Sequence, residues 1–223
     1  MDKILKNITD ILKFEKKFYN RKFVLSEEIF VVSPMEILKE EVLNCRSCPI
    51  QKTIKNKVFG TGPFDAKLMI IGEAPGADED REGLPFVGRA GEKLTKMLEY
   101  IGIDRKDVFI ANILKCRPPG NADPEPEQIS NCFPFLKKQV ESIKPKIILT
   151  LGRYAASVVT GEKSLKMADY LDRDLVSIFF EIPVIATYHP AVLLHSKGER
   201  LEVIRKQIAK DLKRLKSRME KLC

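Results

Sequence analysis

Four short runs of apolar and β-branched residues punctuate the chain, at 67–71, 108–113, 146–151 and 184–187. Hydrophobicity that is continuous over so short a run marks a strand covered on both faces, as in a parallel sheet. Between these runs the period changes. Residues 91–101 bring Leu94, Met97, Leu98 and Ile101 to one helical face, and 127–143 and 153–159 supply two further crossover helices. Near the C-terminus Leu201, Ile204, Ile208, Leu212, Leu215, Met219 and Leu222 recur every three or four residues as one stripe. This alternation predicts an α/β fold: a three-layer α/β/α domain with a short central parallel sheet and a C-terminal amphipathic helix docked by its apolar face. Upstream, Ser33-Pro34 breaks the chain. Residues 1–33 read as an N-terminal helical extension, with Leu5, Ile8, Ile11, Leu12 and Phe18 on a face that packs on protein rather than membrane. Residues 34–223 read as the domain, entered through a short helix over 35–43.

With 223 residues, 44% apolar and 31% charged, the chain can bury one good core and is too hydrophobic for disorder. It has no apolar run of about eighteen residues and no basic-then-apolar leader, so a soluble, cytoplasmic monomer with no membrane contact is expected. The net charge of +8 favours polyanionic partners, and from Lys197 onward basic residues outnumber acidic ones.

Five cysteines change the picture. Four fall in two clusters, Cys45-x2-Cys48 and Cys116-x15-Cys132, a pattern that suits reduced, ligating thiolates better than a disulfide framework. Such a set holds zinc or an iron-sulfur cluster, and Cys-x2-Cys pairs by themselves favour zinc. Cys223 stands outside the pattern.

Ligands of open parallel sheets gather beyond the carboxyl ends of the strands. There the chain carries Gly72-Glu73-Ala74-Pro75-Gly76, then Asn112 with Cys116 close behind, then Tyr188-His189-Pro190. Each has an ordinary structural reading: a tight glycine turn, a capping asparagine, a buried histidine. The first loop lacks both the GK[ST] ending of a Walker loop and a GxGxxG fingerprint, which argues against a nucleotide phosphate.

Taken together, GEAPGADEDREGLPFVGRAG at 72–91, NILKCRPPGN at 112–121, YHPA at 188–191 and the four cysteines resemble family 4, the iron-sulfur type, of the uracil-DNA glycosylase superfamily, over roughly residues 36–215. The resemblance implies a monofunctional repair enzyme that flips uracil out of single- or double-stranded DNA, hydrolyses its N-glycosidic bond and leaves an abasic site. It reverses the preference for zinc, implying a structural 4Fe-4S cluster on Cys45, Cys48, Cys116 and Cys132. It also implies a uracil pocket of Gly72, Glu73, Ala74, Phe86, Asn112 and His189. Phe86 stacks on the base. Asn112 accepts from uracil N3-H and donates to O4, a pattern cytosine reverses. His189 donates to O2 as negative charge builds there. Glu73 walls the C5 side and, with Glu79 and Asp80, is a candidate to position the attacking water. Ala74 stands where the better-known branch has a water-orienting aspartate.

For DNA, Leu193 and Leu194 are candidates for a wedge filling the hole left by the flipped base, and Arg89, Lys115, Arg117 and Lys197 for phosphate contacts. Residues 1–33 lie outside the resemblance and are a candidate contact for repair proteins. The competing class is a non-catalytic iron-sulfur module that binds DNA within a polymerase or repair assembly. A ferredoxin-like carrier lacks support from the cysteine spacing. The related branch that traps uracil covalently carries a histidine after the second motif, where this chain has GNADPEPEQ.

Overall fold

The computed structural model describes residues 33–179 and 181–222, so the expected N-terminal helix and Cys223 lie outside the described residues. Twelve elements follow in order: α1 (Pro34–Leu43), β1 (Leu68–Gly72), α2 (Ala77–Glu82), α3 (Arg89–Tyr100), β2 (Phe109–Asn112), α4 (Pro126–Ile143), β3 (Ile147–Leu151), α5 (Arg153–Thr160), β4 (Leu175–Val176), β5 (Pro183–Thr187), α6 (Val192–His195) and α7 (Gly198–Leu222). The four apolar runs all form strands, within a residue or so of the expected bounds.

The sheet order is β2-β1-β3-β5-β4. β1 pairs in parallel with β2 and β3, and β3 with β5, while β4 joins β5 antiparallel. The chain thus moves outward from β1 to β2, then returns past β1 to β3 and β5, reversing direction beside β1. β1, β2 and β3 are buried along their whole length, which explains their unbroken apolar sequence.

Alternation within the strands divides the core in two. Met69, Ile71, Phe109, Ala111, Ile148 and Val184 face α1, α4 and α5. Leu68, Ile70, Ile110, Leu149, Leu151 and Ile185 face α3 and α7. Helices therefore cover both sheet faces, the three layers expected. The C-terminal stripe docks as read, with Ile204, Ile208, Leu212 and Leu215 buried.

Both sheet edges are short. β4 has two residues, and Thr61 makes an isolated antiparallel bridge to Ile110 on the outer side of β2. Neither β4 nor the short helices α2 and α6 has a periodic pattern long enough to read. Among the described residues no helix is long and apolar enough to cross a membrane.

Candidate active site

At the carboxyl ends of β1, β2 and β5 lies a cavity of about 290 Å³ whose walls include Glu73, Ala74, Phe86, Asn112 and His189. Gly72, the last residue of β1, lies beneath Asn112 and Phe86. A Cβ there would sit 2.4 Å from Asn112 Oδ1 and 2.6 Å from Phe86 Cζ, so only hydrogen fits. The sheet ladder runs on past the strand ends: Ile113 N-H donates to Gly72 O at 2.9 Å and Leu114 N-H to Glu73 O at 3.0 Å. Asn112 is thereby locked against the first loop.

The Asn112 side chain is 1% exposed, and its Oδ1 has no hydrogen-bond partner. Leaving such an acceptor dry costs about 1–3 kcal/mol, an expense expected where a ligand supplies the missing donor.

Phe86 adopts a left-handed backbone, φ 53°, rare for an aromatic residue. The distortion is held from two sides. Glu79 accepts from Val87 N-H and Gly88 N-H at 3.0 and 3.1 Å with one oxygen, and from Gly76 N-H at 3.0 Å with the other. Arg105 donates to the carbonyls of Pro85 and Phe86 at 3.0 and 2.9 Å. Gly91 completes the fit, since a Cβ there would lie 1.8 Å from Phe86 O. The ring ends 5.6 Å from that of His189, centroid to centroid, at 34°.

His189 follows β5, and its Cβ packs 3.2 Å from the Cβ position of Gly152, whose φ of 90° suits glycine. Ala191 N-H donates to His189 Nδ1 at 3.2 Å, which makes Nδ1 an acceptor and assigns the ring proton to Nε2. Burial lowers its pKa to about 4, with the Glu79 carboxylate opposing, so the ring is neutral at physiological pH and presents Nε2-H as a donor.

Glu73 at the cavity wall has its pKa raised, chiefly by burial and then by Asp123, against the opposing Arg153 guanidinium. The other two carboxylates considered for water positioning are committed elsewhere. Glu79 caps three main-chain amides, and buried Asp80 accepts from Lys55 N-H and Asn56 N-H at 2.9 and 3.2 Å.

Lys115 corrects an expectation. Rather than reaching solvent and a phosphate, it is 2% exposed and donates to Asn112 O at 2.9 Å and Gln139 Oε1 at 2.7 Å. Burial lowers its pKa to about 8. Arg89 and Lys197 are exposed and Arg117 is half-buried, its Nε donating to Asn121 Oδ1 at 2.7 Å. The two wedge candidates differ: half-buried Leu193 packs on the α3/α7 core, whereas Leu194 is half-buried outside it.

The four cysteines are free, with Cys48, Cys116 and Cys132 buried and Cys45 half-buried. Cys48 and Cys116 share a small apolar cluster with Ile50 and Ile54. The thiols act on one another: burial, then Cys132, Cys48 and Cys45, push Cys116 up to about 12, opposed by Lys57. Among the described residues no three His, Cys, Asp or Glu side chains form a group that could hold a metal ion. The donor set, four free thiols drawn from two distant segments, nevertheless has the chemistry of a soft, thiolate-ligated centre.

Several residues of this architecture escaped the sequence. Glu79 had a local signal, the acid three positions after Gly76 in a capping box. Arg105, Gly91, Gly152 and Gln139 act only through tertiary contacts.

A cavity at the carboxyl ends of the parallel strands is where a three-layer α/β domain places a ligand site, and the uracil DNA glycosylase superfamily model matches residues 59–213. The chain belongs to that superfamily. It is 41% identical over 189 residues to the type-4 uracil-DNA glycosylase of Saccharolobus solfataricus, covering 82% of this chain and 85% of that protein. To the type-4 enzyme of Archaeoglobus fulgidus it is 41% identical over 174 residues, 75% and 87% of the two chains. To that of Thermotoga maritima it is 38% identical over 187 residues, 84% and 95% of the two.

Proposed function

We propose that this protein is a uracil-DNA glycosylase that extrudes uracil from DNA and hydrolyses its N-glycosidic bond. The observation that carries the reading is the buried, partnerless Asn112 Oδ1, packed with the Phe86 ring against Gly72 at the cavity. Uracil presents N3-H as donor beside O4 as acceptor, and the Asn112 amide offers the complement. Cytosine presents the reverse and leaves the buried amide unpaired, which makes rejection steep.

Cleavage moves the bonding pair from C1′ onto the base, so charge accumulates on uracil as the sugar becomes oxocarbenium-like. A neutral imidazole with its proton on Nε2 at the cavity wall is a donor that strengthens its bond to O2 as that charge grows. Phe86, fixed in its strained backbone by Glu79 and Arg105, supplies the stacking face without reorganising on binding. Glu73 is the carboxylate at the wall not committed to capping, which favours it for guiding water to C1′. Among the described residues no lysine lines the cavity to form a Schiff base, which supports a monofunctional reading. On the DNA side, Leu194 is the better wedge, with Arg89, Arg117 and Lys197 toward phosphates.

Cys45, Cys48, Cys116 and Cys132 would hold a 4Fe-4S cluster. Bound there, it supplies four iron-thiolate bonds that staple the segment before β1 to the loop after β2 and to α4.

The test is release of free uracil from a uracil-containing oligonucleotide by anaerobically purified protein, with Asn112→Ala and His189→Ala alongside. Release that drops in both variants is expected. A brown protein that binds DNA and releases no uracil would instead support the non-catalytic module.

A further inference from the structure

Lys115 has no counter-charge of the usual kind. Both acceptors of its ammonium, Asn112 O and Gln139 Oε1, are neutral, and the side chain is sealed from water. Burying a lysine this way is unfavourable compared with a methionine of similar reach, so its presence calls for an explanation.

Its neighbours supply one. Gln139, 0% exposed on α4, donates from Nε2 to Phe59 O at 2.8 Å, so the amide that receives Lys115 is itself immobilised. The Lys115 carbonyl accepts from Val58 N-H at 2.8 Å. The Lys115 main-chain N-H points to Cys132. One residue therefore touches the four-cysteine centre with its backbone and the base-reading strand end with its side chain.

We propose that Lys115, seated on Gln139, is the positioning residue that fixes Asn112 relative to the four-cysteine centre, so that the height of the uracil reader in the pocket is set from α4. Three hydrogen bonds in series, Asn112 O to Lys115 to Gln139 to Phe59 O, form the strut. Without it, the end of β2 is still held by Ile113 and Leu114, but the Asn112 peptide can tilt, and tilt carries Oδ1 away from N3-H. A misplacement of about 1 Å is enough to cost on the order of 100-fold in rate.

This inference rests on the glycosylase reading, and the experiment separates the two. Lys115→Met, Gln139→Leu and the double variant are compared with wild type as cluster-loaded proteins. The readouts are kcat and KM for uracil release, inhibition by free uracil, and affinity for an abasic-site oligonucleotide. Visible absorption and far-UV circular dichroism check cluster and fold. Lys115→Met is expected to keep absorption, fold and abasic-DNA affinity while kcat falls about 10- to 100-fold and free uracil inhibits correspondingly less. Gln139→Leu moves the same way by less, and the double variant is no worse than Lys115→Met because both cut one path. A loaded Lys115→Met with rates and uracil inhibition within about twofold of wild type overturns the strut, as does equal loss of uracil and abasic-DNA binding. Should Lys115→Met fail to fold or load, Gln139→Leu decides alone by the same criteria. Wild type that releases no uracil sinks the glycosylase reading, whereas active wild type with silent variants sinks only the strut.

Discussion

Around the strand-end cavity the side chains proposed to read uracil are fixed by the chain itself: Phe86 by Glu79 and Arg105, His189 by Ala191 N-H, Asn112 by the extended β1/β2 ladder and Lys115. The four-cysteine lobe is built differently. Its polar contacts include Cys45 Sγ to Ser47 Oγ at 3.4 Å and Asn131 Nδ2 to Ser47 O at 3.2 Å, its apolar cluster is small, and its buried thiols raise one another's pKa. The pocket is pre-organised by hydrogen bonds, whereas the lobe brings together groups that repel when ionised. Order in the first is intrinsic, and in the second, on the cluster reading proposed above, it would come from the group the four cysteines share.

Breaking the lobe should therefore have the largest effect. Cys116→Ser is expected to abolish visible absorption and lower Tm steeply, with uracil release lost together with the fold of the lobe. A colourless but fully stable and active variant would show that the lobe needs no ligand.

In the pocket the effects should be confined to chemistry. His189→Ala is expected to cost about 10²- to 10³-fold in kcat, the usual cost of one oxyanion donor, with Tm and abasic-DNA affinity unchanged. Glu79→Gln tests whether the Phe86 geometry is held rather than inherent. A neutral amide has one acceptor oxygen, so at most two of the three bonds survive and none is charge-assisted, and kcat/KM should fall about tenfold and stability by about 1–3 kcal/mol in chemical denaturation.

The smallest effect on activity is expected on α7. Asp211 on α7 is 0% exposed, with Oδ1 accepting from Gln207 Nε2 at 2.9 Å. Burial raises its carboxyl from 3.8 to about 6, against opposing contacts from Thr187 and Gln207. A carboxyl whose folded pKa lies above its unfolded value favours the protonated fold. That contribution is complete below about pH 4, is lost as pH rises to about 6, and leaves a constant penalty above. Asp211→Asn should accordingly raise stability near pH 8, on the order of 2–3 kcal/mol, with the two proteins converging near pH 4 and uracil release unaltered. A variant less stable at high pH would reverse the sign.

The two regions also differed in legibility. Strands buried on both faces spell themselves out as apolar runs, so β1, β2, β3 and β5 and the helices between them could be read directly. The pocket residues sit just past strand ends, where topology alone directs attention, and motif resemblance then assigned Phe86, Asn112 and His189 their parts. Lys115 was misread because a lysine beside a basic, Pro-rich loop carries every local sign of exposure. Its burial is decided by Gln139 and Phe59, distant in sequence. Arg105 was missed for the same reason, since its partners lie on a loop about twenty residues away. β4 escaped because two residues carry no period.

The brevity of the sheet's margins has a consequence for crowding. An open sheet invites its own kind to extend it, and a basic protein concentrated along one polymer meets its copies often. Among the described residues one margin is a two-residue strand and the other is bridged by Thr61, so neither presents a long free ladder to a neighbour. Local crowding along a damaged strand need not end in aggregation.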